Sequence, residues 1–215
     1  MVEAVLFDYG MVLSGPPDPL AWARMLKIAE LDEERFKAAY WAPRHEYDRG
    51  THTGTEYWLT AGRHVGMEFD AGQVAALIAA DTALWTQVNQ PMVDWARRLQ
   101  AAGTRTGILS NLGDAMTEGV VGKMAWLDGF DHRVFSHTLK LAKPEVAIYR
   151  HAAEGLGIAH DRILFIDDRA DNCEGGRAAG MQVIQYGEHE EFVWEMERRG
   201  LGDLWRTGRI GGGNS

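Results

Sequence analysis

The stretch Ala4-Val-Leu-Phe-Asp8-Tyr-Gly10 contains a short apolar run that ends at an acidic residue and is followed by a glycine. Similar apolar runs recur later in the chain. They cover residues 106–109, 163–166 and 182–186, with a shorter one at 134–135. Runs of this kind, bounded by polar or glycine residues, are typical of strands buried on both faces of a parallel sheet. The sequence therefore predicts four such strands and a shorter fifth.

Three amphipathic patterns of helical period lie between these runs, and each stops at a glycine, as helices commonly do. They cover residues 91–102, 144–156 and 171–179. From about residue 90 onward, helices and strands are therefore expected to alternate. This alternation favours an α/β fold with a Rossmann-like, doubly wound parallel sheet.

The segment between the first strand and this alternating region has a different character. Residues 14–89 show several helical patterns and no convincing strand. The predicted helices cover about 19–30, 32–42, 55–65 and 70–86. We therefore expect a helical domain at 14–89, inserted into an α/β core domain formed by 1–13 and 90–210, and a flexible tail at 211–215.

Composition limits the class of protein. The chain has 215 residues and a net charge of −9, and it lacks the basic face that nucleic-acid binders usually show. An anionic substrate would therefore need a locally positive site, made by a metal ion or a placed lysine. A single cysteine excludes an intrachain disulfide and favours a reducing, cytoplasmic location. No stretch approaches the length of a membrane span, so no membrane partner is expected.

Polar residues follow several of the predicted strands. Asp8 ends the first strand, Ser110-Asn111 follow the next, Lys143 lies in a later loop, and Asp167-Asp168 follow another strand. The carboxyl ends of parallel strands share one edge of the sheet, so these residues are expected to converge there. Each also has a structural alternative, as a turn residue, a helix cap or a solvated surface lysine.

The chemistry of these residue types is consistent with a phosphate site. A carboxylate such as Asp8 is a candidate nucleophile towards phosphorus, and Ser110 with Asn111 could donate hydrogen bonds to phosphoryl oxygens. Lys143 could neutralise a phosphate or stabilise the nucleophile. The adjacent carboxylates of Asp167 and Asp168 repel each other at the end of a buried strand, so they need a cation, and oxygen ligands of this kind select Mg²⁺.

The four segments that contain these polar residues, in this order along the chain, resemble the motifs of the haloacid dehalogenase-like (HAD) hydrolase superfamily. The matching segments are 5–13, 108–111, 143–149 and 165–172. The helical insertion resembles a cap of the family's C1 type. The Asp-x-Gly-x-Val opening is similar to that of bacterial glucose-1-phosphate phosphatases, which makes sugar phosphates reasonable substrates.

The resemblance implies a role for each residue. Asp8 would be the nucleophile and a Mg²⁺ ligand, and the backbone carbonyl of Gly10 would be a second ligand. Asp168, with Asp167 near it, would complete the metal site, and Lys143 would balance charge. The substrate residues would be Ser110, which binds the phosphoryl group, and Asn111 beside it. The implied protein is a magnesium-dependent phosphatase that forms an aspartyl-phosphate on a small phosphorylated metabolite.

One departure from the family pattern leaves alternatives open. Most phosphatases of the family carry a second Asp two residues after the nucleophile as general acid and base, and this chain has Gly10 there. Water or cap residues such as His45, Asp48 and His52 could replace it. A metal-independent 2-haloacid dehalogenase also lacks the second Asp. A non-catalytic binding protein on the same fold is the third possibility.

Overall fold

Five parallel strands form one sheet in the computed structural model, which describes residues 1–209; the tail expected at 211–215 lies outside the described residues. The strands are β1 (Ala4–Phe7), β2 (Arg105–Ser110), β3 (His132–Phe135), β4 (Ile163–Asp167) and β5 (Gln182–Gln185). Their order across the sheet is β3-β2-β1-β4-β5. The predicted α/β fold with a parallel sheet is confirmed, including the short strand at 134–135, which begins two residues earlier than expected.

Helices account for most of the remaining described chain. They are α1 (Pro19–Ala29), α2 (Glu33–Trp41), α3 (Arg44–Arg49), α4 (Gly54–His64), α5 (Ala71–Leu84), α6 (Gln90–Ala101), α7 (Asp114–Val121), α8 (Ser136–Leu139), α9 (Val146–Leu156), α10 (Ala170–Ala178), α11 (His189–Arg198) and α12 (Gly202–Thr207). No helix within residues 1–209 combines the length and the apolar composition needed to cross a membrane.

Both faces of the sheet are covered by helices, as a doubly wound sheet requires. On one face, Phe7 of β1 packs edge-to-face against Trp95 of α6, with ring centroids 5.3 Å apart. On the other face, Phe165 of β4 packs edge-to-face against Tyr149 of α9 at 5.4 Å. These four side chains are fully buried. The strands that lead to Asp8 and Asp167 are therefore each packed against a helix by a buried aromatic contact.

The predicted helix at 144–156 begins two residues later than expected, at Val146. Residues 142–145 form a turn instead, in which the Glu145 N–H donates to the Ala142 carbonyl at 2.8 Å and the Glu145 carboxylate accepts from the Ala142 N–H at 2.9 Å. Pro144 therefore lies in this turn and is not the first residue of the helix. The turn brings Lys143 to the edge of the sheet.

The inserted segment contains α1 to α5, and α3 was not predicted from the sequence. Helix α3 has only six residues, follows Pro43 and ends at Gly50, whose φ is +84°. The division into two domains at 14–89 stays a prediction, because buried side chains of the insertion, such as Phe36 and Trp58, belong to the same apolar cluster as Phe7 of the sheet.

Candidate active site

The polar residues at the strand ends converge at one edge of the sheet. Asp8 follows β1, which lies between β2 and β4, and these two strands end in Ser110 and Asp167. The backbone N–H of Asp8 donates to the carbonyl of Ile166 at 2.8 Å, which continues the strand pairing and fixes the position of Asp8. A cavity of about 450 Å³ opens above this edge.

Lys143 lies between two of the carboxylates. Its Nζ is 2.8 Å from Oδ1 of Asp8 and 2.6 Å from Oδ2 of Asp167, and the residue is 3% exposed. Burial alone lowers the pKa of Lys143, but the Asp167 and Asp8 carboxylates outweigh that effect and raise this pKa above its ordinary value. Lys143 is therefore an ammonium group at neutral pH.

Asp8 presents one oxygen to the protein and leaves the other free. Oδ1 accepts from the backbone N–H of Tyr9 at 2.7 Å and from Lys143, whereas Oδ2 has no hydrogen-bond partner among residues 1–209. Burial raises the pKa of the Asp8 carboxyl to about 7; Lys143 opposes this shift and Asp167 adds to it. Asp8 lines the cavity, so its unpaired oxygen is the one available to attack a substrate or bind a cation.

Asp167 and Asp168 have different environments, although they are adjacent in the sequence and were both expected at the metal site. Asp167 is fully buried, and its Oδ1 accepts from the backbone N–H of Arg169 at 2.9 Å and from Nδ2 of Asn172 at 3.0 Å. Asp168 lines the cavity instead. Asp167 therefore holds Lys143 in place, while Asp168 borders the cavity.

Asn172 is a site residue to which the sequence analysis gave no role. Besides donating to Asp167, it is itself fixed, since its backbone carbonyl accepts from the hydroxyl of Tyr149 at 2.7 Å. The sequence does carry a signal, because Asn172 closes the 165–172 segment and lies in the first turn of α10. An amide one helical turn beyond a strand-end carboxylate is well placed to support that carboxylate.

The carboxylates fit a hard divalent cation. One oxygen from each of Asp8, Asp167 and Asp168 lies within 4.8 Å of the others. Three carboxylates against the single ammonium of Lys143 leave an excess of negative charge. Burial and the neighbouring Asp167 raise the pKa of Asp168, which is the expected response of a carboxylate that lacks a compensating cation. Gly10, the fourth expected ligand, lines the same cavity.

Ser110 and Asn111 have separate roles in the structure. Both line the cavity. The Ser110 hydroxyl has no hydrogen-bond partner in the described part of the chain, so it is free to bind a ligand. The side chain of Asn111 instead clamps the backbone of Lys143: Nδ2 donates to the Lys143 carbonyl at 3.0 Å, and Oδ1 accepts from the Lys143 N–H at 2.9 Å. Asn111 thus positions Lys143, in addition to bordering the cavity.

The inserted helical segment forms the opposite wall of the cavity. This wall contains Trp41, Arg44, His45, Asp48 and Trp85. Of the three expected substitutes for the missing acid, His45 and Asp48 border the cavity and His52 is not among its lining residues. Gly10 leaves space on the strand side, because a Cβ built there has no atom within 4 Å.

A buried ionic network supports this wall. Nε of Arg44 donates to Oδ1 of Asp48 at 2.9 Å, and its Nη1 lies 3.3 Å from Oδ2 of Asp81. The hydroxyl of Tyr40 accepts from Arg44 at 2.7 Å and donates to Oδ1 of Asp81 at 2.8 Å. Asp81 lies on α5 and Arg44 on α3, so their pairing across 37 residues was missed by the sequence analysis.

Comparison with known proteins gives relatives of two activities. The chain is 31% identical over 118 residues to an (S)-2-haloacid dehalogenase of Pseudomonas sp. (strain YL), covering 55% of this chain and 50% of that protein. It is 30% identical over 113 residues to a phosphoglycolate phosphatase of Nitrosococcus oceani, covering 51% of this chain and 48% of that protein. The matches thus span about half the length of these curated relatives.

Solved structures share the fold. A HAD family enzyme from Bacteroides thetaiotaomicron superposes with a TM-score of 0.73 at 21% identity, covering 91% of this chain and 98% of that one. The same enzyme has been solved in complex with magnesium and inorganic phosphate, with a TM-score of 0.68 to this chain at 20% identity and coverage of 91% and 99%. Residues 12–180, well over half of the chain, match the family model of the haloacid dehalogenase-like hydrolases. The chain therefore belongs to the haloacid dehalogenase-like hydrolase family.

Proposed function

We propose that this hydrolase is a magnesium-dependent phosphatase that transfers the phosphoryl group of a small phosphate monoester to Asp8. The observation that carries the proposal is the cluster of Asp8, Asp167 and Asp168, in which the Lys143 ammonium group pairs with only the first two carboxylates. A metal-free site would leave this excess of carboxylate charge without compensation. Mg²⁺ is the cation that oxygen ligands of this number and type favour when phosphate oxygens complete the shell.

Each residue has a part in the proposed reaction. Oδ2 of Asp8 attacks phosphorus while Lys143 keeps the Oδ1 side of the carboxylate in position, and the Ser110 hydroxyl donates to a phosphoryl oxygen. Mg²⁺ held by Asp8, Asp168 and the Gly10 carbonyl would supply positive charge that offsets the charge on the transferring group. Water then hydrolyses the aspartyl-phosphate and regenerates Asp8.

The wall formed by the inserted helical segment suits a neutral, hydroxylated leaving group better than one that carries a carboxylate. The two guanidinium groups at the cavity are already paired, Arg44 with Asp48 and Asp81, and Arg169 with Asp171 at 2.7 Å. Neighbouring carboxylates thus offset the charge of both guanidinium groups, although Nη2 of Arg44 and Nη1 of Arg169 have no hydrogen-bond partner among residues 1–209. Trp41, which is 56% exposed, and Trp85 offer aromatic faces at the same wall. Both features support a sugar phosphate, such as glucose 1-phosphate, as substrate.

The second candidate is a metal-independent 2-haloacid dehalogenase. Two features favour it: Gly10 in place of the phosphatase acid, and relatives with that activity. A haloacid carries a carboxylate, however, and the paired state of Arg44 and Arg169 disfavours its binding. The sequence also has Gly10-Met-Val where dehalogenases have Tyr-Gly-Thr. The third candidate, a non-catalytic binding protein on this fold, has Gly10 as its main support. A cytoplasmic location and a small-metabolite substrate are part of our proposal.

One assay separates the three candidates. The chain is incubated with p-nitrophenyl phosphate, a set of sugar phosphates and 2-chloropropionate, each with Mg²⁺ and with EDTA, alongside the Asp8→Asn variant. We expect phosphate release that needs both Mg²⁺ and Asp8. Chloride release in EDTA would establish the dehalogenase instead, and no release from any compound would favour the binding protein.

A further inference from the structure

The proposed reaction leaves one proton without a donor. A sugar alkoxide is a poor leaving group, so it needs a proton as the P–O bond breaks, and Gly10 has no side chain to supply it. Four carboxylates line the cavity: Asp8, Asp48, Asp168 and Asp171. Asp8 and Asp168 belong to the nucleophile and metal cluster. A side-chain hydrogen bond from Arg169 lowers the pKa of Asp171, which keeps that carboxylate ionised. Asp48 remains.

Asp48 is held in place with one oxygen free. Its Oδ1 accepts from Nε of Arg44 at 2.9 Å, and its Oδ2 has no hydrogen-bond partner among residues 1–209. The side chain is 18% exposed and borders the same cavity as Asp8. The helix that carries it is docked on the α/β core, because the hydroxyl of Ser136 donates to the backbone carbonyl of Asp48.

The charge around Asp48 favours a bound proton. Arg44 contacts two carboxylates, Asp48 and Asp81, so this buried group carries one negative charge in excess when both are ionised. Binding one proton makes the group neutral. Asp81 is 2% exposed and accepts from the hydroxyl of Tyr40, whereas Asp48 faces the cavity and can exchange its proton with a ligand.

We propose that Asp48, on the helical insertion, replaces the missing carboxylic acid at position 10 and protonates the leaving group. This inference rests on the proposed phosphatase function. As Oδ2 of Asp8 bonds to phosphorus and the ester P–O bond breaks, the proton of Asp48 moves to the departing oxygen. The Asp48 carboxylate then takes a proton from the water that attacks the aspartyl-phosphate, because leaving group and water occupy the same side of phosphorus in an in-line reaction.

The acidity of Asp48 suits this role. Burial raises the pKa of its carboxyl to about 6; Arg44 opposes the shift and Asp81 adds to it. The charged and titratable groups that act on it are Arg44 and His45 of α3 and Asp81 of α5. An acid of this strength is protonated in a useful fraction of molecules near neutral pH.

The test compares two leaving groups in the full chain with Mg²⁺. In Asp48→Asn, kcat/KM for glucose 1-phosphate is expected to fall about 10²–10⁴-fold, the usual contribution of a general acid. The pre-steady-state burst of p-nitrophenolate from p-nitrophenyl phosphate should be largely retained, because that leaving group departs without a proton. Asp48→Glu should recover part of the lost activity. Glu46→Gln, an exposed carboxylate on the same helix, is the matched control and should behave as wild type.

Two further readouts exclude a merely structural effect. With Mg²⁺ present, the pH profile of wild-type kcat/KM for glucose 1-phosphate should include a limb that falls with rising pH as Asp48 loses its proton, and this limb should be absent from Asp48→Asn. Gly10→Asp should restore sugar-phosphate hydrolysis in the Asp48→Asn background. An equal loss with both leaving groups would overturn the inference and leave the proposed function standing. A wild-type chain that releases no phosphate would overturn both.

Discussion

Replacing Asn111 by alanine tests whether this residue acts on the substrate or on Lys143. The side-chain amide makes two hydrogen bonds to the backbone of Lys143, at 2.9 and 3.0 Å. Asn111→Ala removes both. The ammonium group of Lys143, which lies 2.8 Å from Asp8 and 2.6 Å from Asp167, then loses the support that fixes its backbone. We expect lower stability together with lower kcat.

The magnitude follows from the two lost bonds. A typical intramolecular hydrogen bond contributes a net of about 0.5–1.5 kcal/mol, so the variant should lose about 1–3 kcal/mol of unfolding free energy. In a chain of about this length, each kcal/mol corresponds to about 2–4 °C in Tm. Asn111→Ala should therefore melt about 2–12 °C below wild type.

Ser110→Ala is the matched control for this experiment. The Ser110 hydroxyl has no partner within residues 1–209, so its removal should leave the Tm nearly unchanged while phosphate release declines. Thermal unfolding and steady-state kinetics with p-nitrophenyl phosphate measure both effects. If Asn111→Ala had a wild-type Tm and a defect confined to KM, the side chain would not be needed to hold the Lys143 backbone. Asn111 would then be a direct substrate ligand.

Three further predictions concern the same cavity. Gly10→Asp should fold normally, since Gly10 has a φ of −62° and open space at its Cβ, and should show equal or greater activity on poor leaving groups; a clear loss would mean that the position needs glycine. Mg²⁺ at a hundred times its dissociation constant should stabilise the chain by about 2.7 kcal/mol, seen as a higher Tm, and Asp168→Asn should remove most of this shift; an unchanged shift would place the ion elsewhere. Because the pKa of Asp48 is raised from 3.8 to about 6, the folded state binds its proton more tightly than the unfolded state, so its contribution to stability is full below about pH 3.8 and is lost as pH rises through about 6. Urea unfolding of Asp48→Asn should therefore decline less over this range than that of wild type, and parallel curves would contradict the shift.

The sheet and its active edge could be predicted because their signals are local. Each apolar run is long enough to identify a buried strand, and parallel topology alone brings Asp8, Ser110 and Asp167 together. Lys143 was also expected at this edge, although it lies in a loop. The helix at Val146 started later than predicted because a turn closed by the Glu145 side chain takes precedence over the helix-starting preference of Pro144.

The remaining features depend on contacts between distant residues. A ligand role was expected for Asn111 from its position after a strand, but its side-chain amide hydrogen-bonds to the backbone of Lys143, 32 residues away. The short helix α3 has too few residues for a clear amphipathic period. Its buried Arg44 forms an ion pair with Asp81 of α5, which is far away in the sequence. Such pairings are tertiary, so no spacing in the sequence reports them.

The most direct measurement is the chemical identity of the covalent intermediate on Asp8. The chain is mixed with a phosphate ester and Mg²⁺, quenched in acid within the first turnover, digested and analysed by mass spectrometry. Our account predicts one phosphoryl group on the peptide that contains Asp8, absent when EDTA is added and absent from Asp8→Asn. A phosphoryl group on another residue, or an Asp8 ester formed from 2-chloropropionate in the absence of metal, would contradict it.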